Sequence, residues 1–155
     1  MRTIFLILTI TFFSLRACAF EYGYTSDGTK YVKHKHNESS YQHAWCMANG
    51  GIEEYQNKDF TRVDCLTSTH AVEFDFSNKW AESIGQALHY QYMTGKKAKV
   101  VLILEEPQKE MVYFNRVKNL SEIYNFDAEC ITPKILCLKN GKCPYLDCKC
   151  NKQKH

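Results

Sequence analysis

Residues 70–76 (HAVEFDF) alternate so that Ala71, Glu73 and Asp75 share one face of an extended segment and Val72, Phe74 and Phe76 the other. Two carboxylates on a strand whose opposite face is aliphatic and aromatic are costly unless the acids perform a task. Two more strands are predicted upstream, Ile52–Gln56 and Thr61–Leu66, separated by the turn Asn57-Lys58-Asp59 and followed by Thr67-Ser68-Thr69. Ahead of them Tyr41, Ala44, Trp45 and Ala48 fall at helical spacing, with Ser39 or Ser40 placed to cap the start and Asn49-Gly50-Gly51 to end it.

Ser77 stands as N-cap of a second helix from Asn78 to about Met93, with Gly95 just past its end. At about 100° per residue, Ala81, Ile84, Leu88 and Tyr92 make the expected core stripe, and Lys79, Glu82, Ser83, Gln86, Tyr90 and Met93 group on another face. Residues 99–104 (KVVLIL) have the β-branched, unbroken apolar character of a buried strand. Glu110 to Tyr124 reads as a third helix, with Val112, Val117, Leu120 and Tyr124 at helical spacing, and Ala128–Ile135 as a last strand. Helix, three strands, helix, strand, helix, strand is the order of an α/β domain with a mixed sheet flanked by helices.

The N-terminal residues change the cellular setting. Residues 4–15 (IFLILTITFFSL) follow Arg2 and precede Ala17 and Ala19, the pattern of a secretory signal peptide over residues 1–19. The run is too short to span a bilayer, which takes about 20 helical residues. Leu15-Arg16-Ala17-Cys18 also admits a lipobox reading with Cys18 lipidated, although Arg16 fits such a box poorly. The expectation is an exported chain, secreted or periplasmic, without a transmembrane segment, and neither a cytosolic enzyme nor a channel. Residues 20–38 read as an extended polar leader with His34-Lys35-His36 in a loop or at an edge, residues 39–135 as the α/β domain, and residues 136–155 as a cysteine-rich basic tail.

Charge is divided unevenly. Without Arg2 and Arg16 the chain has 18 basic and 17 acidic residues. From Ile131 onward six lysines face one acid, Asp147, which leaves residues 20–130 with 12 basic and 16 acidic residues. A nucleic-acid binder acting by phosphate neutralisation alone would show the opposite balance, so contact with a polyanion needs divalent metal or the basic tail. Cys130, Cys137, Cys143, Cys148 and Cys150 crowd into the last 26 residues, which in an exported chain predicts disulfides. No C-x2-C knuckle occurs. Cys148 and Cys150 with His155 are the zinc alternative.

The chemistry-bearing residues follow an order. Asp64 closes the second core strand, Glu73 lies nine residues on, and Gln86-Ala-Leu-His-Tyr90 lies on the next helix. This resembles the PD-(D/E)XK nuclease superfamily, in particular its RecB-like branch, with an Asp, an acid-x-Lys and Q-x-x-x-Y on the following helix. Thr61-Arg-Val-Asp-Cys and Trp80-Ala-Glu-Ser-Ile-Gly-Gln-Ala-Leu-His-Tyr are also similar to a family of small exported bacterial proteins of that fold. The resemblance covers roughly residues 40–135. It implies a restriction-endonuclease-like core and a Mg²⁺- or Mn²⁺-dependent hydrolase of phosphodiester bonds, DNA favoured over RNA. Asp64 and Glu73 would hold the cation, Gln86 and Tyr90 would position phosphate or a base, Glu53 or Glu54 would bond a metal water, and His89 would lie at the rim.

One position departs from the pattern. Asp75 stands where the family carries its catalytic lysine. It implies an inactive scaffold that binds nucleic acid or a protein partner, an additional metal ligand, or a plain strand-edge acid. Lys79, at the start of the next helix, is the expected replacement for the missing cation. The resemblance also implies a Cys46–Cys65 disulfide, because the first helix packs on the Asp64 strand in that fold, with the connectivity of the tail cysteines left open.

Overall fold

The computed structural model describes residues 22–140 and 142–152, which fall into two units, one up to Lys33 and one from His34 onward. The signal-peptide and lipobox readings and His155 lie outside the described residues. In the first unit, Gly28 adopts φ 85° and Asp27 Oδ1 accepts the Thr29 N–H at 3.0 Å. That turn joins β1 (Tyr22–Tyr24) and β2 (Lys30–Val32) in an antiparallel hairpin, where the sequence predicts only an extended leader.

The second unit runs α1 (Glu38–Ala48), β3 (Ile52–Gln56), β4 (Arg62–Leu66), β5 (His70–Phe76), α2 (Trp80–Thr94), β6 (Lys97–Ile103), α3 (Pro107–Tyr124) and β7 (Asp127–Ile131). Its five strands stand in chain order, with β3, β4 and β5 antiparallel and β5, β6 and β7 parallel. Short turns suffice for the antiparallel pairs, whereas each parallel step needs a helical crossover, supplied by α2 and α3. The expected α/β domain with a mixed sheet is therefore present.

Alternation along the strands gives the sheet two dry faces. On one, Tyr41 and Trp45 of α1 pack with Val72, Phe74 and Phe76 of β5 and with Val101, Ile103 and Ile131. On the other, Ala87 of α2 and Val117 of α3 cover Ala98, Val100, Leu102 and Leu104. Leu136, Cys143 and Cys148 belong to the first cluster, so the cysteine-rich segment is built into the domain rather than appended to it. The hydrophobic character of buried thiols explains why.

Two helix faces differ from the sequence reading. In α2 the buried residues are Ser83, Ala87 and Tyr90, while Tyr92 is 83% exposed and Leu88 is also exposed. Small side chains at 83 and 87 let the helix lie close on the sheet, and of the predicted stripe Ile84 packs against that core while Leu88 and Tyr92 turn outward. Ser77 does not cap α2: it opens a short 3₁₀ turn, Ser77–Lys79, and donates to Glu110 Oε1 at 2.7 Å. Glu110 also accepts the Glu106 N–H at 2.6 Å and so stabilises the start of α3. In α3, Val117 and Leu120 of the expected stripe pack against the sheet, while Val112 and Tyr124 are exposed.

A disulfide joins Cys46 at the end of α1 to Cys65 of β4, with Cα atoms 5.7 Å apart, as the resemblance implied. It lies against Gly51, where a Cβ would meet the Cys65 sulfur at 2.3 Å and the Cys46 sulfur at 2.7 Å. Gly51 leaves room for the staple. Cys130, Cys137, Cys143, Cys148 and Cys150 are thiols, not the disulfides expected of the tail.

Candidate functional site

Asp64 sits where the sheet loses its pairing on both sides. Toward β3, register runs through Glu53↔Cys65 and Tyr55↔Val63 but skips Glu54, which takes φ 52°. A non-glycine residue in that region costs about 1–3 kcal/mol and persists only where its surroundings enforce it. Here Gln42 of α1 enforces it, its Nε2 donating to Glu54 Oε1 at 2.8 Å and to the Asp64 carbonyl at 2.7 Å. Toward β5, pairing stops after Cys65↔Val72, and the Phe74 N–H donates to the Asp64 carboxylate at 2.7 Å instead of to a backbone carbonyl.

The split admits a cluster of acids. Glu73 is 4% and Asp75 3% exposed, both on the β5 face toward α2, and Glu38 of α1 reaches the same place from the chain segment before it. Burial pushes the Glu73 carboxyl up to about 10, with the Asp64 charge and a hydrogen bond to it adding to the effect. Asp64 is raised less, to about 6, because the Phe74 N–H and Glu73 oppose its burial. Glu38 rises to about 8 through burial and the charges of Asp75 and Asp64. Glu73 thus holds a proton that it shares with Asp64, while its Oε2 is buried without a hydrogen-bond partner among the described residues. An unsatisfied buried carboxyl oxygen costs about 1–3 kcal/mol.

Asp75 and Lys79 make a second pair. Lys79 Nζ lies 3.2 Å from Asp75 Oδ1, its stem half exposed and its ammonium aimed into the cluster. Burial lowers the lysine pKa, but Asp75 and Glu38 more than reverse this and hold it above its usual value. Burial raises Asp75 against the pull of Lys79. The lysine therefore offsets the charges of Asp75 and Glu38.

Other expected residues divide. Tyr90 is buried with its hydroxyl toward Glu73, and its pKa is raised by burial and by the charges of Glu73 and Asp64. Gln86, one turn earlier, is half-buried and donates to none of these carboxylates among the described residues. Glu54 adjoins Asp64, but Glu53 turns to His43 Nδ1 at 2.7 Å in a separate cavity of about 450 Å³ shared with Ser39, Ser40 and Tyr145. His89 leaves the cleft altogether, its Nε2 lying 2.8 Å from Asp59 Oδ2 in the β3–β4 turn. Asp64, Glu73 and Asp75 do not converge as three ligands of one ion. Among the described residues the one set of three donors within 4.8 Å of one another is His36, Cys148 and Cys150.

Sequence reasoning missed three participants. Glu38 had the appearance of an ordinary first-turn acid, favoured by the helix dipole, and only its place at the split gives it a role. Gln42 carried no motif. Glu105, just past β6, binds the segment before α1: its carboxylate accepts the Lys35 and His36 N–H groups at 3.0 and 3.1 Å and the Tyr41 hydroxyl at 3.0 Å, with His34 Nδ1 at 3.3 Å. Burial raises its pKa, but these bonds prevail and hold it below the usual glutamate value.

The residues at the split form a set of buried carboxylates, with one cation and one phenol at its margin. Comparison with protein-family models, with curated proteins and with solved structures finds no match to this chain.

Proposed function

We propose that this chain is an exported, divalent-metal-dependent nuclease that hydrolyses phosphodiester bonds, with DNA the favoured substrate. The observation that carries the reading is Glu73: a buried carboxyl on a central strand, opposite Asp64, with one oxygen left without a partner. Structural acids in such places are normally satisfied, as Glu110 is here by Ser77 and the Glu106 N–H.

Asp64 and Glu73 fit as oxygen ligands of Mg²⁺ or Mn²⁺, and a cation bound there supplies Lewis-acid polarisation of the phosphoryl group and activation of water. Glu73 surrenders its proton when it becomes a ligand. The Phe74 N–H and Gln42 fix the orientation of Asp64, Tyr90 orients Glu73, and the Lys79 ammonium offsets Asp75 and Glu38. The acidic balance of the core residues is consistent with a site whose charge the cation reverses. Within this reading the core is of the restriction-endonuclease type, and the exposed lysines 134, 139, 142 and 152 give a polyanion a second place to rest. No helix among the described residues is long and apolar enough to cross a membrane.

Asp75 in the family's lysine position favours a second reading, a non-catalytic module that keeps the scaffold to bind nucleic acid or a protein. Incubation of the disulfide-intact protein with supercoiled plasmid in Mg²⁺ or Mn²⁺ separates the two. The nuclease nicks or linearises plasmid and Asp64→Ala does not; binding without cleavage by the parent protein selects the module.

A further inference from the structure

The segment before α1 meets the cysteine-rich segment, although 112 residues separate His36 from Cys148. His36 Nδ1 lies 3.7 Å from Cys148 Sγ, and Cys148 Sγ lies 3.5 Å from Cys150 Sγ. Bond lengths of about 2.3 Å to sulfur and 2.0–2.1 Å to nitrogen place the donors of a tetrahedral zinc about 3.5–3.8 Å apart. The observed separations are those of tetrahedron edges, too long for a disulfide of about 2.05 Å. The Cys143 thiol adjoins Cys148.

Burial and backbone geometry point the same way. His36, Cys143 and Cys148 are buried, and Cys150 is half-buried. Each sulfur is faced by main-chain N–H groups: Cys143 by that of Tyr145, Cys148 by those of Asn37 and Cys150, and Cys150 by that of Cys143. The Ser40 hydroxyl also faces Cys148.

The surroundings hold this geometry from both sides. Glu105 fixes the main chain of Lys35 and His36, Asn37 accepts the Lys149 N–H at 3.3 Å and donates to the Asp147 carbonyl at 3.3 Å, and Asn151 donates to the carbonyls of Cys143 and Tyr145 at 2.9 Å each.

We propose that His36, Cys143, Cys148 and Cys150 bind one structural Zn²⁺ that clamps the start of α1 to the end of the domain. Three thiolates and an imidazole select zinc over Mg²⁺, and a closed ligand set leaves no open position for catalysis. The site is independent of the nuclease reading. It also differs from the tail-only grouping suggested by sequence, because His36 comes from the other end of the chain.

The test uses the full chain with Cys46–Cys65 intact, loaded with Zn²⁺ alone and dialysed into metal-free buffer without chelator. Elemental analysis is expected to find one zinc per chain, with Cys143, Cys148 and Cys150 resisting maleimide until a mercurial releases the metal, while exposed Cys137 reacts at once. Co²⁺ in place of Zn²⁺ is expected to give the intense visible bands of tetrahedral coordination and a thiolate charge-transfer band. Cys150→Ser and His36→Gln should each weaken zinc retention at least tenfold, and Cys137→Ser should leave it unchanged. Should either ligand variant fail to fold, the parent protein's zinc count and cobalt spectrum decide. No retained zinc in the parent, a peptide map showing a disulfide among these three cysteines after zinc loading, or full retention in both folded ligand variants would overturn the assignment.

Discussion

The acid cluster and the thiol cluster lie on either side of the same short segment, residues 36–38, and solve opposite problems. His36 faces the sulfurs of Cys148 and Cys150, whose spacing already matches a small tetrahedral ion, whereas Glu38 joins hard oxygen donors that repel one another and share protons to remain buried. The first arrangement is closed and its role is attachment. The second is strained, with Glu54 at positive φ and Glu73 Oε2 unpartnered. Unsatisfied polar groups and backbone strain gather where a chain does chemistry, and that contrast is why catalysis is assigned to the carboxylates and architecture to the thiols.

The largest expected effect separates the two directly. Asp64→Ala should lower cleavage roughly a hundredfold or more, about 2.7 kcal/mol of barrier, while leaving the zinc count at one per chain. Parallel plasmid and elemental assays check both halves. Coupled loss of zinc would mean that the two regions are not separate.

The Cys46–Cys65 staple comes next, because it ties α1 to the strand that carries Asp64. It closes a separation of 19 residues, and removing it as Cys46→Ala/Cys65→Ala should cost about 3 kcal/mol. Urea unfolding of the zinc-loaded variant measures this. A loss confined to metal-free protein would instead make the zinc clamp dominant.

Charge in the recess predicts a pH dependence of defined sign. Glu73, Glu38 and Asp64 have folded pKa values above those of the unfolded chain, so the folded state keeps protons that unfolding releases. The contribution of these three carboxyls to stability, without Mg²⁺ or Mn²⁺, is therefore full below about pH 4 and declines as pH rises, Glu73 contributing until about pH 10. Its share has a limiting slope of about 1.4 kcal/mol per pH unit. Glu73→Gln should flatten the decline, as read from thermal melts at several pH values, and an unchanged slope would remove Glu73 as its source.

The smallest stability effect belongs to Lys79. Its side chain is half exposed, so Lys79→Met should change stability by no more than about 1 kcal/mol, yet it should lower cleavage without changing Mn²⁺ affinity. Cleavage equal to that of the parent would restrict Lys79 to neutralising Asp75.

What could be read from sequence was whatever local pattern decides. Alternation at residues 70–76 placed Glu73 and Asp75 on a strand, and the helix–strand order gave the mixed sheet. The face of α2 was misread because bulk was taken as the sign of burial, whereas Ser83 and Ala87 pack by being small and Tyr92 does not pack at all. Glu38, Gln42 and Glu105 were illegible for a different reason: each acquires its partner from a distant element, so no periodicity or spacing announces it. His36 is the extreme case, a histidine in an apparently solvated triplet whose sulfur neighbours lie at the far end of the chain.

Mn²⁺ binding tests the paired carboxylates most directly. A carboxyl must lose its proton to become a ligand, and Glu73 holds one near neutral pH. Titration of zinc-loaded protein with Mn²⁺ at pH 7, in two buffers of different ionisation enthalpy, should show one saturable event that releases about one proton per ion, with Glu73→Gln losing both the proton and most of the affinity. Equal affinity and equal proton release in the parent and in Glu73→Gln would contradict the account.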